Sequence, residues 1–242
     1  MRKSIVAAVI AASAATAACS YHRSEDGGPT VSRNYQVGNF QKLEVAGPYE
    51  VEVRTGANPG VSARGGEKLL NQTTVEVQGD KLVIRPQEQH HFFQWGFGSR
   101  GKAHFTVTVP QLNAAIIAGS GDINIDKVQG NAFEGTVAGS GDLTVGTVAA
   151  RSLTGTVAGS GDLTVAGKAD SARLTIAGSG TFDGHAFRAG DANATIAGSG
   201  SAGFHSDGTV SAHISGSGNV TVQGRATCHQ SRSGSGSLRC GG

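Results

Sequence analysis

The chain alternates apolar and polar residues on both sides of a short triplet, Gly-Ser-Gly, that returns at nearly constant intervals. Copies begin at positions 119, 139, 159, 178, 198, 216 and 234. An aliphatic residue stands two places before the first glycine in six copies: Ile117, Val137, Val157, Ile176, Ile196 and Ile214. After the triplet, apolar residues again alternate with polar ones, as in Leu143-Thr144-Val145. A period of two predicts β-strands that bury one face.

Each repeat therefore predicts a strand, a tight glycine corner, a second strand and a looser connection. Neither strand buries its apolar face alone, so successive repeats must stack, with equivalent residues about 4.8 Å apart. A repeat of about 20 residues is typical of a solenoid, and parallel crossovers are right-handed in nearly all proteins. The sequence therefore predicts an all-β fold, a right-handed parallel β-helix with coils of roughly 20 residues.

The region before residue 110 follows the same scheme more loosely. VAGPYEVEV at 45–53 aligns with the repeat sequence VAGSGDLTV and predicts a degenerate corner. Short strands are expected at 73–78 and 81–85, because Gly79-Asp80 between them is a hairpin signal. Residues 37–110 are either the start of the solenoid or a separate β-sandwich-like domain, and the degenerate corner favours the solenoid.

The N-terminus is typical of an export signal. Arg2 and Lys3 precede an apolar, alanine-rich stretch that is too short for a membrane-spanning helix. The small residues before Cys19 resemble a bacterial lipobox, in which the cysteine is lipidated and becomes the first mature residue. The alternative is ordinary cleavage after Ala17.

Three segments follow from this interpretation. We expect a lipoprotein-like signal peptide at 1–18, with Cys19 as the lipidation site. Residues 19–36 are polar and contain Gly-Gly-Pro, which predicts a flexible tether. The β-helix domain is then expected at 37–240.

The end of the repeat region carries two of the three cysteines. Whether Cys19 is lipidated or removed, Cys228 and Cys240 remain as a pair in an oxidising compartment. Both fall in inward columns on the strands that flank the last corner, so we predict a disulfide that closes the open end. Arg232 occupies a column that is Ile or Val in every earlier repeat, as expected where a stack ends.

Charge and composition exclude some classes of function. The chain has 20 Lys and Arg against 18 Asp and Glu, a net charge of +2, and no basic run longer than two residues. It therefore lacks the electrostatic footprint of a nucleic-acid-binding protein. Hydrophobic residues make up 38%, which is too many for a disordered chain.

The corners are candidates for chemistry because aspartate follows the triplet at 122, 142 and 162. Stacked carboxylates suggest a calcium site, but later repeats carry Thr, Ser or Asn at this place, all of which suit turns. We expect these side chains to hydrogen-bond the backbone of their own turns, and we predict no metal, cofactor or catalytic residue. His185 and His205, in the same register of adjacent coils, are expected to stack on the surface.

One segment, EQHHFFQWGFGSRGK at 88–102, breaks the alternation and holds the only tryptophan. It either folds back and caps the coil stack or forms an exposed interaction loop. The residues of such a loop would be His90, His91, Phe92, Phe93, Trp95 and Phe97.

An ordered set of motifs resembles the head GIN domain family, whose members are described by analogy as autotransporter adhesins. The motifs are FQKLEVAGPYEVEVRTG, KLVIRP, VTVPQL and the repeated AGSGDL, and the resemblance covers about residues 38–240. It implies a bacterial, exported and often lipoprotein-like protein with a β-helical fold. It implies no catalytic residues.

The function that we expect is an exported, envelope-associated binding or adhesin-like module in the periplasm or at the outer membrane or cell surface. A lipid on Cys19 would hold it to the membrane, and its threonine-lined face would meet an envelope glycan or protein. One alternative is a structural envelope protein without a specific ligand. The other is a polysaccharide-active β-helix enzyme, which needs a cleft with grouped carboxylates; we expect no enzyme here.

Overall fold

A computed structural model describes residues 28–87 and 103–241. Almost all of them lie in strands that join one sheet. The N-terminal elements are β1 (Thr30–Tyr35), β2 (Lys42–Ala46), β3 (Tyr49–Thr55), β4 (Gly60–Gly66), α1 (Glu67–Asn71), β5 (Thr73–Gln78), β6 (Lys81–Pro86) and β7 (Ala103–Val109). The repeat region comprises β8 (Ala114–Gly119), β9 (Asp122–Ile125), β10 (Val128–Gly139), β11 (Leu143–Gly159), β12 (Asp162–Gly178), β13 (Thr181–Gly198), β14 (Ser201–Ser206), β15 (Thr209–Gly216), β16 (Asn219–Gln223), β17 (Thr227–Ser233) and β18 (Ser237–Cys240).

The repeat region is a parallel β-solenoid, as the sequence predicts. Each coil pairs with the next one in register, so that Val137 lies beside Val157, and Val157 beside Ile176. The same column continues through Ile196 to Ile214. Successive corners are 18 to 20 residues apart, so the seven corners are separated by six steps from one coil to the next.

The predicted inward columns form the core. Ile117, Leu143 and Phe182 are less than 2% exposed, as are most residues of their columns. The buried residues make one continuous cluster that runs from Phe40 to Val222. Buried residues of the region before residue 110 thus share one core with the repeat region.

The coils at the N-terminal end do not stack in chain order. Strands β2 and β3, with the degenerate corner Gly47-Pro48 between them, pair in parallel with β8 and β9 on one side. On the other side they pair in parallel with β6 and β7. The coil formed by β6 and β7 is thus the outer one, although it follows β2 and β3 in the sequence.

Antiparallel strands and a short helix cover this outer coil. Strand β5 pairs with β6 across the predicted Gly79-Asp80 turn, and β4 pairs with β7. Helix α1 places Leu69 and Leu70 in the core. The predicted tether ends earlier than residue 36, because Thr30–Tyr35 forms β1 and pairs with β4. On this strand Val31, Arg33 and Tyr35 are half-buried, and exposed residues alternate with them.

Candidate functional site

The Gly-Ser-Gly corners are built for close stacking. The first glycine of each triplet has a positive φ, from 118° to 139°, which L side chains rarely adopt. A Cβ on the second glycine would lie 1.9 Å from the carbonyl oxygen of the preceding coil at Gly141, and 2.6 Å from it at Gly218. The first glycine's carbonyl accepts N–H bonds from the serine and second glycine of the next coil, as Gly139 does from Ser160 and Gly161 at 2.9 and 3.1 Å. These contacts make the triplet a structural corner.

The aspartates that follow three corners link neighbouring coils. The Oδ1 atom of Asp122 accepts the backbone N–H of Asp142 at 3.1 Å, and Asp142 accepts that of Asp162 at 3.0 Å. Asp162 in turn accepts the N–H of Thr181 at 2.9 Å. The expectation of hydrogen bonds within each turn is therefore wrong, because each of these carboxylates accepts an N–H from the next coil.

Other exposed aspartates use the same bond between coils. Asp191 accepts the N–H of Thr209 at 2.7 Å, and Asp207 accepts that of Arg225 at 3.1 Å. No group of three metal-ligating His, Cys, Asp or Glu side chains occurs within residues 28–87 and 103–241.

His185 and His205 do not share a register. The pairing of β13 with β14 shifts between Gly184 and Arg188, so that Arg188 lies opposite His205. His205 and Arg188 both face Asp207, whose Oδ2 lies 3.6 Å from His205 Nε2. The backbone N–H of Arg225, and after it the charge of Arg188, lowers the pKa of Asp207 below its ordinary value of 3.8.

A flat outward surface runs along the strands that precede the corners. Two columns lie in register there, two residues apart on each strand. The columns are Thr136, Thr156, Thr175 and Thr195, and Ala138, Ala158, Ala177 and Ala197. We call this the threonine–alanine face. His213 and Ser215 continue it on β15.

A cleft opens where the connection from β7 to β8 crosses the stack. It has a volume of about 350 Å³ and is lined by Lys42, Gln111, Asn113, Asn131, Glu134 and Thr154, together with Ala114, Ala132 and Phe133. We call it the amide cleft. Lys42 Nζ lies 3.0 Å from Asp80 Oδ2, and this contact lowers the pKa of the Asp80 carboxyl.

The remaining sites predicted from the sequence divide into two groups. Cys228 and Cys240 form a disulfide, with 6.3 Å between their Cα atoms. Cys19 lies outside the described residues, as do all members of the predicted interaction loop: His90, His91, Phe92, Phe93, Trp95 and Phe97.

Nothing in the sequence indicates the amide cleft. Gln111 and Asn113 are polar residues of a connection, Asn131 lies on β10, and no motif unites them. In the part of the chain that the structure describes, no helix is long and apolar enough to cross a membrane.

Several solved bacterial structures share this fold. A "putative adhesin" from Bacteroides fragilis superposes with a TM-score of 0.76 at 20% identity, covering 88% of this chain and 96% of its own. A "putative lipid binding protein" from Parabacteroides distasonis gives a TM-score of 0.68 at 23% identity, covering 89% and 98%. A "putative adhesin" from Parabacteroides merdae gives 0.68 at 18% identity, covering 88% and 96%.

No curated protein matches the chain. A family model described as "Putative auto-transporter adhesin, head GIN domain" matches residues 39–226, which contain nearly the whole solenoid. None of these descriptions names an enzyme. The protein belongs to this family, described as "Putative auto-transporter adhesin, head GIN domain".

Proposed function

We propose that the protein is exported to the cell envelope and acts there as an adhesin-like binding module without catalytic activity. The family description and the leader-like N-terminus support this proposal. In it, residues 1–18 are removed, Cys19 carries the lipid, and residues 19–29 tether the domain to the membrane. The partner is an envelope glycan or protein.

The observation that carries the proposal is the threonine–alanine face. Its hydroxyl groups repeat at the coil spacing of about 4.8 Å along a straight column. The corners and the continuous core fix the positions of these side chains, so binding would cost little conformational entropy. A rigid and flat polar surface suits an extended ligand that also repeats.

A paired set of variants tests the face. Thr156→Gln with Thr175→Gln places two longer neutral side chains on it. Thr144→Gln with Thr164→Gln makes the same change on the strands after the corner, where the two threonines are also in register. We expect the first pair to weaken co-sedimentation of the mature protein with isolated envelope at least tenfold, and the second pair to change it less than twofold.

The outcomes separate the candidate functions. Equal loss from both pairs, or no loss from either, would contradict the assignment of the face. Wild-type protein that binds no envelope fraction would favour a structural role without a ligand. Thermal unfolding of the two double variants and the wild type must agree within a few degrees for the comparison to count.

Two further measurements test the remaining parts of the proposal. Mass spectrometry of the mature N-terminus should find a lipidated Cys19, and a free terminus at Ala18 would contradict anchoring. Replacement of residues 88–102 by a short Gly-Ser link tests the interaction loop. If the domain loses stability while envelope binding is unchanged, that segment is structural.

A further inference from the structure

A break in the ladder creates the amide cleft. Strand β10 pairs with β11 from Val128 onward, but it pairs with β8 only from Glu134. Among the described residues, the connection 110–113 lies beside the first half of β10. Four residues of the connection thus face six residues of the strand, 128–133. The N–H of Glu134 bonds to the carbonyl of Asn113 at 2.9 Å, which fixes one end of this mismatch.

The connection contacts β10 through a side chain, whereas neighbouring coils pair through backbone hydrogen bonds. An ideal Cβ on Gly130 would lie 2.7 Å from Gln111 Nε2, so Gln111 approaches the backbone at a place that only glycine leaves open. Gln111 stands between the amide cleft and a second cavity of about 100 Å³. The mismatch therefore leaves a cleft instead of a closed sheet.

The amides of the cleft hold each other in place. Gln111 Nε2 donates to Asn113 Oδ1 at 3.1 Å, and Asn113 Nδ2 donates to Gln41 Oε1 at 2.8 Å. Each amide has two N–H donors and an oxygen with two lone pairs. Gln111 Oε1 and the second N–H of each donating amide therefore still have hydrogen-bonding capacity. The cleft presents oriented donors and acceptors together, as a hydroxyl-rich ligand requires.

The charges of the cleft favour a neutral ligand. Lys42 and Glu134 lie at the rim and have opposite signs. The Lys42 ammonium is already paired with Asp80 at 3.0 Å. An anionic ligand would therefore find little uncompensated positive charge and would face the Glu134 carboxylate, whereas a neutral ligand meets no such repulsion.

The floor of the cleft is apolar and small. Ala114, Ala132 and Phe133 line it, and Ala132 is the exposed one of the three, because Ala114 is 5% and Phe133 1% exposed. An apolar floor below convergent polar groups is typical of small-ligand sites, whose volumes begin at about 300 Å³. The C–H face of a sugar ring fits such a floor while its hydroxyls meet the amides. A volume of about 350 Å³ accommodates one or two rings.

We infer that the amide cleft binds a short neutral carbohydrate, one or two sugar units of a longer glycan. This inference rests on the proposed function, because it specifies the class of partner that the adhesin-like module would bind. Glu134 and Thr154 precede Thr136 and Thr156 by two residues on the same strands. A glycan seated in the cleft would continue directly onto the threonine–alanine face.

The test uses the mature protein and a defined panel of probes. Titration calorimetry would compare di-N-acetylchitobiose, maltose and cellobiose with two charged sugars, glucosamine and glucuronic acid. We expect at least one neutral disaccharide to bind with a Kd in the millimolar range or below. Glucuronic acid is expected to bind at least tenfold more weakly, and glucosamine no more tightly than the neutral disaccharides.

The variants test which residues bind. Asn113→Ala and Asn131→Ala should each weaken the disaccharide at least fivefold. Asn193→Ala is the matched control, because it removes an outward asparagine from the column of Glu134 and Thr154, two coils beyond Thr154. It should leave the Kd unchanged. If Asn113→Ala fails to fold, the affinity of Asn131→Ala, which changes an exposed residue of the cleft, decides the test.

Three results would overturn the inference: no neutral sugar binds, a charged sugar binds more tightly, or the cleft variants bind like wild type. This failure is distinguishable from failure of the proposed function. Envelope binding that depends on Thr156 and Thr175 but not on Asn113 and Asn131 would keep the adhesin-like module and remove the carbohydrate cleft.

Discussion

The two ends of the solenoid are closed by different means. At the N-terminal end, β1, β4, β5 and α1 pack over the outer coil and bury Leu69 and Leu70. At the C-terminal end, the residues of β17 and β18 in the last coil are exposed or half-buried. Gln230 and Arg232 there lie in register with Ala212 and Ile214, and both are exposed.

The difference shows two solutions to one problem, the unpaired edge of a sheet. Additional chain pairs the edge and adds apolar burial, which stabilises the end that it covers. Polar residues in core columns make the edge soluble without adding burial, and the Cys228–Cys240 disulfide limits how far it opens. Since each coil contacts only its neighbours, we expect local opening to begin at the C-terminal end.

The largest effect is expected from removing a buried side chain of the N-terminal cover. Leu70→Ala should cost about 2–5 kcal/mol of unfolding free energy, because Leu70 is 1% exposed and its loss leaves a cavity. Leu238→Ala in the partly buried last coil should cost less than about 1 kcal/mol. Urea unfolding followed by circular dichroism would measure both, and equal costs would contradict the difference between the ends.

The next effect is expected from opening the disulfide. Replacing Cys228 and Cys240 by serine frees a loop with a sequence separation of 12, worth about 3 kcal/mol in the chain-entropy model. Because the last coil contacts only one neighbour, the cost should be local. Hydrogen exchange should accelerate about 100-fold in β17 and β18, while β2 and β3 keep their rates. Equal acceleration at both ends would mean that the solenoid opens as one unit.

A smaller and pH-dependent effect is expected at the covered end. Thr73 donates its hydroxyl proton to the Leu69 carbonyl at 2.8 Å, so Tyr49 donates to Thr73 Oγ1 at 3.0 Å. Burial raises the pKa of Tyr49 above its ordinary value of 10.0. A raised folded-state pKa means that stability is full below pH 10 and falls as the pH rises through the folded value.

Tyr49→Phe tests that network. It should cost about 1 kcal/mol at neutral pH, the usual net worth of a hydrogen bond, and should make the loss of stability above pH 10 shallower. Thr209→Val, an exposed threonine on β15, is the control for a general effect of removing a hydroxyl. An alkaline limb unchanged by Tyr49→Phe would contradict the role of Tyr49.

The regular coils could be predicted because their signals are local. A glycine with positive φ, an apolar residue on each side and a constant period appear in every repeat, so the columns of Val137 and Leu143 could be assigned from spacing alone. The disulfide follows from the same columns. Residues 28–36 carried a weaker alternation, in Val31, Arg33 and Tyr35, that the polar composition concealed.

The features that escaped prediction depend on pairing between distant segments. Nothing in the residues of β2 and β3 places them between β6–β7 and β8–β9, since that order is decided by how the whole stack closes. The aspartate bonds were assigned to the wrong turn because the local rule ignores the next coil. Counting from the corners paired His185 with His205, because the shorter spacing after Gly198 does not show where in the coil the residues are lost.

The smallest effect is expected from Asp207, which ties the last coils together on the surface. Its Oδ1 accepts the N–H of Arg225, and Arg188 faces its Oδ2. Because its pKa is lowered in the folded state, the stability it contributes is present above pH 3.8 and is lost as the pH falls through the folded value. Asp207→Asn should therefore speed exchange of the Arg225 amide at pH 7 and have no effect near pH 2. Asp170→Asn removes an exposed carboxylate two coils earlier and is the charge-matched control. If both variants act alike at pH 7, the effect is one of net charge, and Asp207 does not connect the last coils to the stack.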